Sequence, residues 1–183
     1  TVFIHVTLLP YLNAAGELKT KPSQHSVMSL RSLGIQPDIL VCRTQKPIPK
    51  TERKKLALFT NVDAEAVIEC KDMKSIYEVP IALEAQNLAE QVLRRLNLES
   101  PAPDLDSWLN LVQRIKNPEK NIKIAIAGKY TKLSDAYISV VESLKHAGYA
   151  IGANIELKWV SSEDCTDMEK AAEALEDVQG VVV

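Results

Sequence analysis

The sequence predicts an α/β protein made of two doubly wound, mainly parallel-sheet units, both incomplete, joined by a linker. Three observations predict it. Short apolar strands alternate with helical patterns over residues 1–98. A polar, proline-containing stretch interrupts them over residues 99–121. The alternation then restarts and runs over residues 122–183.

Taken in order, residues 2–10 are apolar or β-branched at most positions and read as a buried strand. "PSQHSVMSLRSLG" reads as a helix with Pro22 in its first turn. Ser23 offers a capping oxygen, Val27, Leu30 and Leu33 form an apolar stripe, and Gly34 is the stop. "DILVCR" (38–43) is a short strand, and "KKLALFTNV" (54–62) suits a helix or a strand. "AVIEC" (66–70) is a further strand, and "IYEVPIAL" (76–83) leads into a helix over 84–96.

The stretch "ESPAPDLDSWLNLVQRIKNPEKN" reads as a linker holding one short amphipathic helix over 108–115. "IKIAIAG" (122–128) is a buried strand. "SDAYISVVESLKHAG" is a helix capped by Ser134 or Asp135 and stopped at Gly148. "NIELKWV" (154–160), "DMEKAAEALED" (167–177) and "GVVV" (180–183) complete a strand–helix–strand run. The first residues start within a strand pattern and the last stop within one, so the chain reads as a segment of something longer.

The composition narrows the function classes. With 46% hydrophobic and 25% charged residues the chain is globular, and its net charge of −2 excludes a general electrostatic pull towards nucleic acid or anionic membrane. Any anion site must be local. Cys42, Cys70 and Cys165 form no C-x-x-C pair, which argues against a disulfide framework or a structural zinc site. The longest apolar runs are too short to span a bilayer, and the start lacks a signal-peptide layout. A cytoplasmic protein with neither nucleic-acid nor membrane partners is expected.

The run "GELKTKPSQHSV" carries the functional signal. In an extended segment, residues two apart point to one side, so Lys19 and Lys21 are expected to present both ammoniums to one spot. A helix begins at about Pro22, bringing its free amides and positive dipole end to the same region. Paired cations before a helix N-terminus suit a ligand with several anionic oxygens in a row, such as a triphosphate. Ser23 and Gln24 can add hydrogen bonds to a sugar or base. Taken alone, Lys-x-Lys in a loop is a solvated pair. Arg43 closes a strand at the edge where α/β sheets bind ligands, and suits either the base of a nucleotide or a surface ion pair.

The stretch "HVTLLPYLNAAGELKTKPSQHSVMSLRSLGIQPDILVCR" resembles the CTP synthase family in its amidoligase (synthetase) domain, and "KLALF", "IYEVP", "GKY" and "DAYISVVESLKHAG" extend the likeness over nearly the whole chain. Ser23 stands where threonine is more usual, and Ala127 where valine is common. The resemblance implies that residues 1–98 are the C-terminal part of the amidoligase domain. Residues 99–121 would be a linker, and 122–183 the start of a class I glutamine amidotransferase domain.

It further implies that Lys19, Thr20, Lys21, Pro22, Ser23 and Gln24 bind the triphosphate of UTP, or CTP as feedback inhibitor, with Lys55 as a further phosphate contact. Lys71, Asp72 and Met73 would lie against the adenine of ATP, with Arg43 beside them. The implied reaction is phosphorylation of the UTP 4-oxygen by ATP and displacement of that phosphate by glutamine-derived ammonia. Mg²⁺ would accompany ATP, held by residues upstream of Thr1, while glutamine and GTP would act through the downstream domain. The glutaminase cysteine is expected downstream of Val183, so the segment alone should be inactive, with no catalytic residue or metal ligand of its own. Members of the family form homotetramers, and many form filaments. The alternatives are a non-enzymatic nucleotide-binding module that uses the same corner, and a scaffold unit for assembly.

Overall fold

The computed structural model describes residues 1–183 except the side chain of Ser134. The chain divides into two compact units, Thr1–Asp104 and Leu105–Val183. In chain order the first contains β1 (Ile4–Leu8), β2 (Tyr11–Leu12), β3 (Glu17–Leu18), α1 (Lys21–Ser32), β4 (Ile39–Thr44), α2 (Lys50–Thr60), β5 (Val67–Lys71), α3 (Val79–Glu84) and α4 (Leu88–Leu96).

Strands β1, β4 and β5 form a parallel sheet in that order, with Ile4 opposite Ile39 and Leu40 opposite Val67. The central strand explains its own sequence. Covered on both faces, it buries Ile39, Leu40, Val41 and Cys42 in succession, the continuous apolar run of an interior parallel strand. Burial pushes the Cys42 thiol up to about 12, against a smaller opposing pull from the Arg53 charge, so this cysteine is an inert core residue. Val27 of α1 and Leu56 and Ala57 of α2 close the same core.

β1 departs from the expected buried strand. It is an outer strand of the sheet, and Ile4, Val6 and Leu8 are exposed while Thr7 is buried. The opposite outer strand, β5, is protected by a side chain. The Gln86 amide accepts from the Glu69 N–H and donates to the Glu69 carbonyl, both at 2.8 Å, which mimics a neighbouring strand.

Several helix boundaries also differ. Ser23 does not cap α1; Thr20 holds the cap position, and the helix has already begun at Lys21. Leu33 lies exposed at the C-cap, outside the expected stripe, while Gly34 turns the chain with φ of 83°. Residues 54–62 fall mostly in α2, which begins earlier, at Lys50. The helix expected over 84–96 starts later, at Leu88, and is set off from α3, which ends at Glu84, where Asn87 takes a left-handed φ of 57°.

The second unit holds α5 (Asp106–Lys116), β6 (Lys120–Gly128), α6 (Ile138–Ala150), β7 (Ala153–Ser161), α7 (Met168–Leu175) and β8 (Gly180–Val182). Its sheet is parallel, in the order β7–β6–β8, so successive connections run to opposite sides of β6. Asp167 caps α7 by accepting from the Lys170 N–H at 2.9 Å. The Ser134 cap expected for α6 lies outside the described residues. Asp135 does not serve, because α6 starts later, with Tyr137 at its cap position. Gly148 is not the stop either: the helix runs to Ala150, and Gly152, with φ of 67°, makes the turn. Gly148 is there for space, since a Cβ would lie 2.6 Å from Ile155 Cγ1 and 2.8 Å from the Ala153 carbonyl.

Candidate functional site

Because β1, β4 and β5 are parallel, their carboxyl ends share one edge of the first sheet, the edge at which open α/β sheets receive ligands. Every site residue expected from the sequence lies on the segments leaving that edge or on the helix between β4 and β5.

The first cluster follows β1. A short antiparallel hairpin places Leu12 opposite Glu17, its tight end turned by Gly16 with φ of 66°. The Lys19 N–H closes the hairpin base on the Pro10 carbonyl at 2.9 Å. Thr20 is buried with helical dihedrals, φ −81° and ψ −20°, and Lys21 opens α1. The extended alternation expected to align Lys19 with Lys21 is therefore broken at Thr20.

Alternation instead joins Glu17 to Lys19, across Leu18, which packs against the core. The Lys19 ammonium donates to the Glu17 carboxylate. That hydrogen bond and the Lys19 charge hold the Glu17 carboxyl below its usual range against a small burial effect, and the Lys55 charge adds to them. Lys55, exposed on α2, thus acts on the same carboxylate as Lys19. Glu17 was missed by sequence reasoning, although E-x-K in "GELK" is the signal that finds it.

The neutral side chains of the run are engaged internally. Ser23 is fully buried and its hydroxyl donates to the Leu8 carbonyl at 2.9 Å, tying the first turn of α1 to the end of β1. The Gln24 amide donates to Thr20 Oγ1 at 3.0 Å. Two residues on, Ser26 meets His5 Nε2 at 2.8 Å, a second tie between α1 and β1. Lys21 and Pro22 are exposed.

The second cluster gathers where β4 and β5 end. Arg43, Lys71, Asp72 and Met73 line one cleft of about 320 Å³, with Ile76 and Val79 supplying an apolar wall. The Asp72 N–H extends the sheet by donating to the Thr44 carbonyl at 2.8 Å. Arg43 Nη2 lies 3.2 Å from Asp72 Oδ1, an ion pair whose side chains are 63% and 50% exposed. Of the two roles left open for Arg43, the structure shows the surface ion pair. Asp72 is the sole carboxylate among the lining residues and is already paired, so this donor set does not fit Mg²⁺. Among the described residues no group of three or more His, Cys, Asp and Glu side chains gathers as metal ligands do.

Two further cavities, of about 380 and 560 Å³, open beside Glu65 and Arg94, before the start of β5. Part of their polar lining is engaged within the fold: Gln86 with Glu69, Gln91 with the Glu65 carbonyl, and Arg95 with Asp63. Size alone does not make them sites, and they lie away from the ligand-facing edge. In the second unit, Gly128 ends β6 with its carbonyl accepting from the Ser162 N–H at 3.0 Å. Lys129 lies beside the ring of its neighbour Tyr130.

A parallel α/β unit with cations and an apolar-walled cleft on its carboxyl edge has the architecture at which open α/β sheets receive ligands. The family profile described as "CTP synthase N-terminus" matches residues 1–98. The CTP synthase of Synechococcus sp. (strain JA-3-3Ab) is 53% identical over 182 residues, covering 99% of this chain and 33% of that protein. That of Symbiobacterium thermophilum is 59% identical over 162 residues, 88% of this chain and 30% of that protein. The Halalkalibacterium halodurans enzyme is 52% identical over 182 residues, covering 100% and 34%. The chain belongs to the CTP synthase family, and it spans about a third of the length of the curated relatives it matches. Among the described residues no helix is long and apolar enough to cross a membrane.

Proposed function

We propose that this chain is the part of a CTP-forming ligase that receives the triphosphates of UTP and ATP. Residues 1–98 are the C-terminal part of the amidoligase domain, 99–121 the linker, and 122–183 the start of the glutamine amidotransferase domain. What supports the first of these limits is that the N-terminus profile stops at residue 98 while the relatives match on through nearly the whole chain.

The observation that carries the functional reading is the meeting of two clusters on one sheet edge. At the first, Lys19, Lys21 and Lys55 neutralise the triphosphate of UTP, or of CTP acting as feedback inhibitor, against the start of α1. Thr20, Pro22, Ser23 and Gln24 shape the corner that carries those cations. At the second, Met73, Ile76 and Val79 offer an apolar, polarisable surface to the adenine of ATP. Arg43, Lys71 and Asp72 supply the charges around it.

The reaction so served converts the 4-oxygen of the uracil ring into a phosphate leaving group, which ammonia from glutamine displaces. This chain contributes charge neutralisation and positioning. Mg²⁺, glutamine and GTP engage residues outside it, and the whole protein works as a homotetramer, in some members as filaments. The location that goes with this reading is cytoplasmic.

The test is kinetic, on the full-length polypeptide. Lys21→Ala is expected to raise the UTP concentration for half-maximal CTP formation by at least tenfold while glutamine hydrolysis falls much less. Equal loss of both activities would refute the assignment.

A further inference from the structure

The Lys19 ammonium, read above as a phosphate contact, already holds an anion that belongs to the fold. Glu17 opens β3 and Lys19 follows directly after its end, two residues apart across Leu18. Their pairing is therefore built into the backbone and needs no chance meeting of loops. The hairpin fixes it further: Glu17 pairs with Leu12, and Lys19 closes the base on Pro10. The Lys55 charge on α2 acts on the same carboxylate more weakly, from beyond ion-pair distance. Glu17 is thus paired with one and under the field of the other of two cations that the proposed function assigns to one triphosphate.

We propose that Glu17 is a built-in counter-ion of the phosphate site, exchanged for a phosphate oxygen when nucleotide binds. The inference rests on the reading of Lys19 and Lys55 as triphosphate contacts.

A carboxylate left in place beside a triphosphate repels it, and one bonded to Lys19 occupies a donor that the phosphate needs. By either route Glu17 opposes binding. Its exposure makes displacement cheap, because water solvates the released carboxylate. Two consequences follow. The lysines, which otherwise repel one another, stay neutralised and in place before nucleotide arrives. A ligand with several anionic oxygens, able to take both lysines together, displaces Glu17 more readily than one with a single phosphate, so the exchange sharpens preference for the triphosphate.

The test is equilibrium titration of the full-length polypeptide with UTP and, separately, with inorganic tripolyphosphate. Glu17→Gln is expected to lower the dissociation constant for UTP about two- to fivefold, the scale of a lost exposed ion pair. The same variant is expected to tighten tripolyphosphate by a similar factor. Lys19→Met is expected to weaken UTP, and adding Glu17→Gln to it should then give little further change. An unchanged or raised UTP dissociation constant in Glu17→Gln, with Lys19→Met still weakened, would overturn the counter-ion role and leave the nucleotide reading standing. If neither Lys19→Met nor Lys55→Met weakens UTP, the reading of this corner as the phosphate site fails.

Discussion

Replacing Ser23 by alanine separates two accounts of the phosphate corner. The sequence suggested that this hydroxyl serves a cap or a ligand, whereas the structure buries it completely and aims it at the Leu8 carbonyl, 2.9 Å away. Deleting it leaves a buried acceptor short of a donor, a loss of about 1–2 kcal/mol. For a unit of this size that corresponds to a fall in melting temperature of about 5–10 °C. The assay is thermal unfolding followed by circular dichroism. Trp108 and Trp159 both lie in the second unit, so their fluorescence is the control for effects confined to the first. Ser23→Thr keeps the hydroxyl and is expected to retain most of the stability. A Ser23→Ala protein that melts within a degree of the parent but binds UTP much more weakly would refute the argument, because the hydroxyl would then act on the ligand.

Two more outcomes test the second unit. Gly148→Ala drives a methyl into Ile155 and the Ala153 backbone, and should cost about 1–3 kcal/mol in urea unfolding. Hydrogen bonds from Lys123 (2.7 Å) and Lys158 (2.5 Å) lower the Asp177 carboxyl from 3.8 to about 2. A depressed carboxylate contributes stability that is complete above its unfolded value and lost as pH falls through the folded one. The urea midpoint should therefore drop between about pH 4 and pH 2, and Asp177→Asn should flatten that part of the profile. On the alkaline side the Lys123 ammonium, held protonated chiefly by the Asp177 hydrogen bond, contributes stability that disappears as pH rises through its raised value.

The parallel α/β architecture was legible because an interior strand must be apolar on both faces. "ILVC" and "IAIA" announce this without ambiguity, and glycines such as Gly34 mark the turns. Strand β1 looked equally buried, since apolarity reports what a segment can bury and says nothing of what covers it. The break at Asn87 and the space demanded at Gly148 depend on tertiary contacts with no local signature. The stretch 84–96 carries an unbroken helical pattern, and a glycine near a helix end looks like a stop whether it turns the chain or merely fits beneath a strand.

At the candidate site, the geometry of the lysine run was not readable from the sequence. Lysines two apart align only while the chain stays extended, and Thr20 has already turned helical. The alternation that survives is Glu17 with Lys19, one step earlier in the same run. The cluster at the ends of β4 and β5 was singled out only through resemblance. "CKDMKS" has no intrinsic pattern, and it is the side-by-side parallel pairing of β4 with β5 that brings Arg43 to Asp72.

The most direct measurement is hydrogen exchange of the full-length polypeptide with UTP and with ATP added separately. UTP is expected to slow the amides of residues 19–24, and ATP those of residues 71–73. Protection that appears instead around Glu65 and Arg94, or at neither segment of the carboxyl edge, would contradict the account.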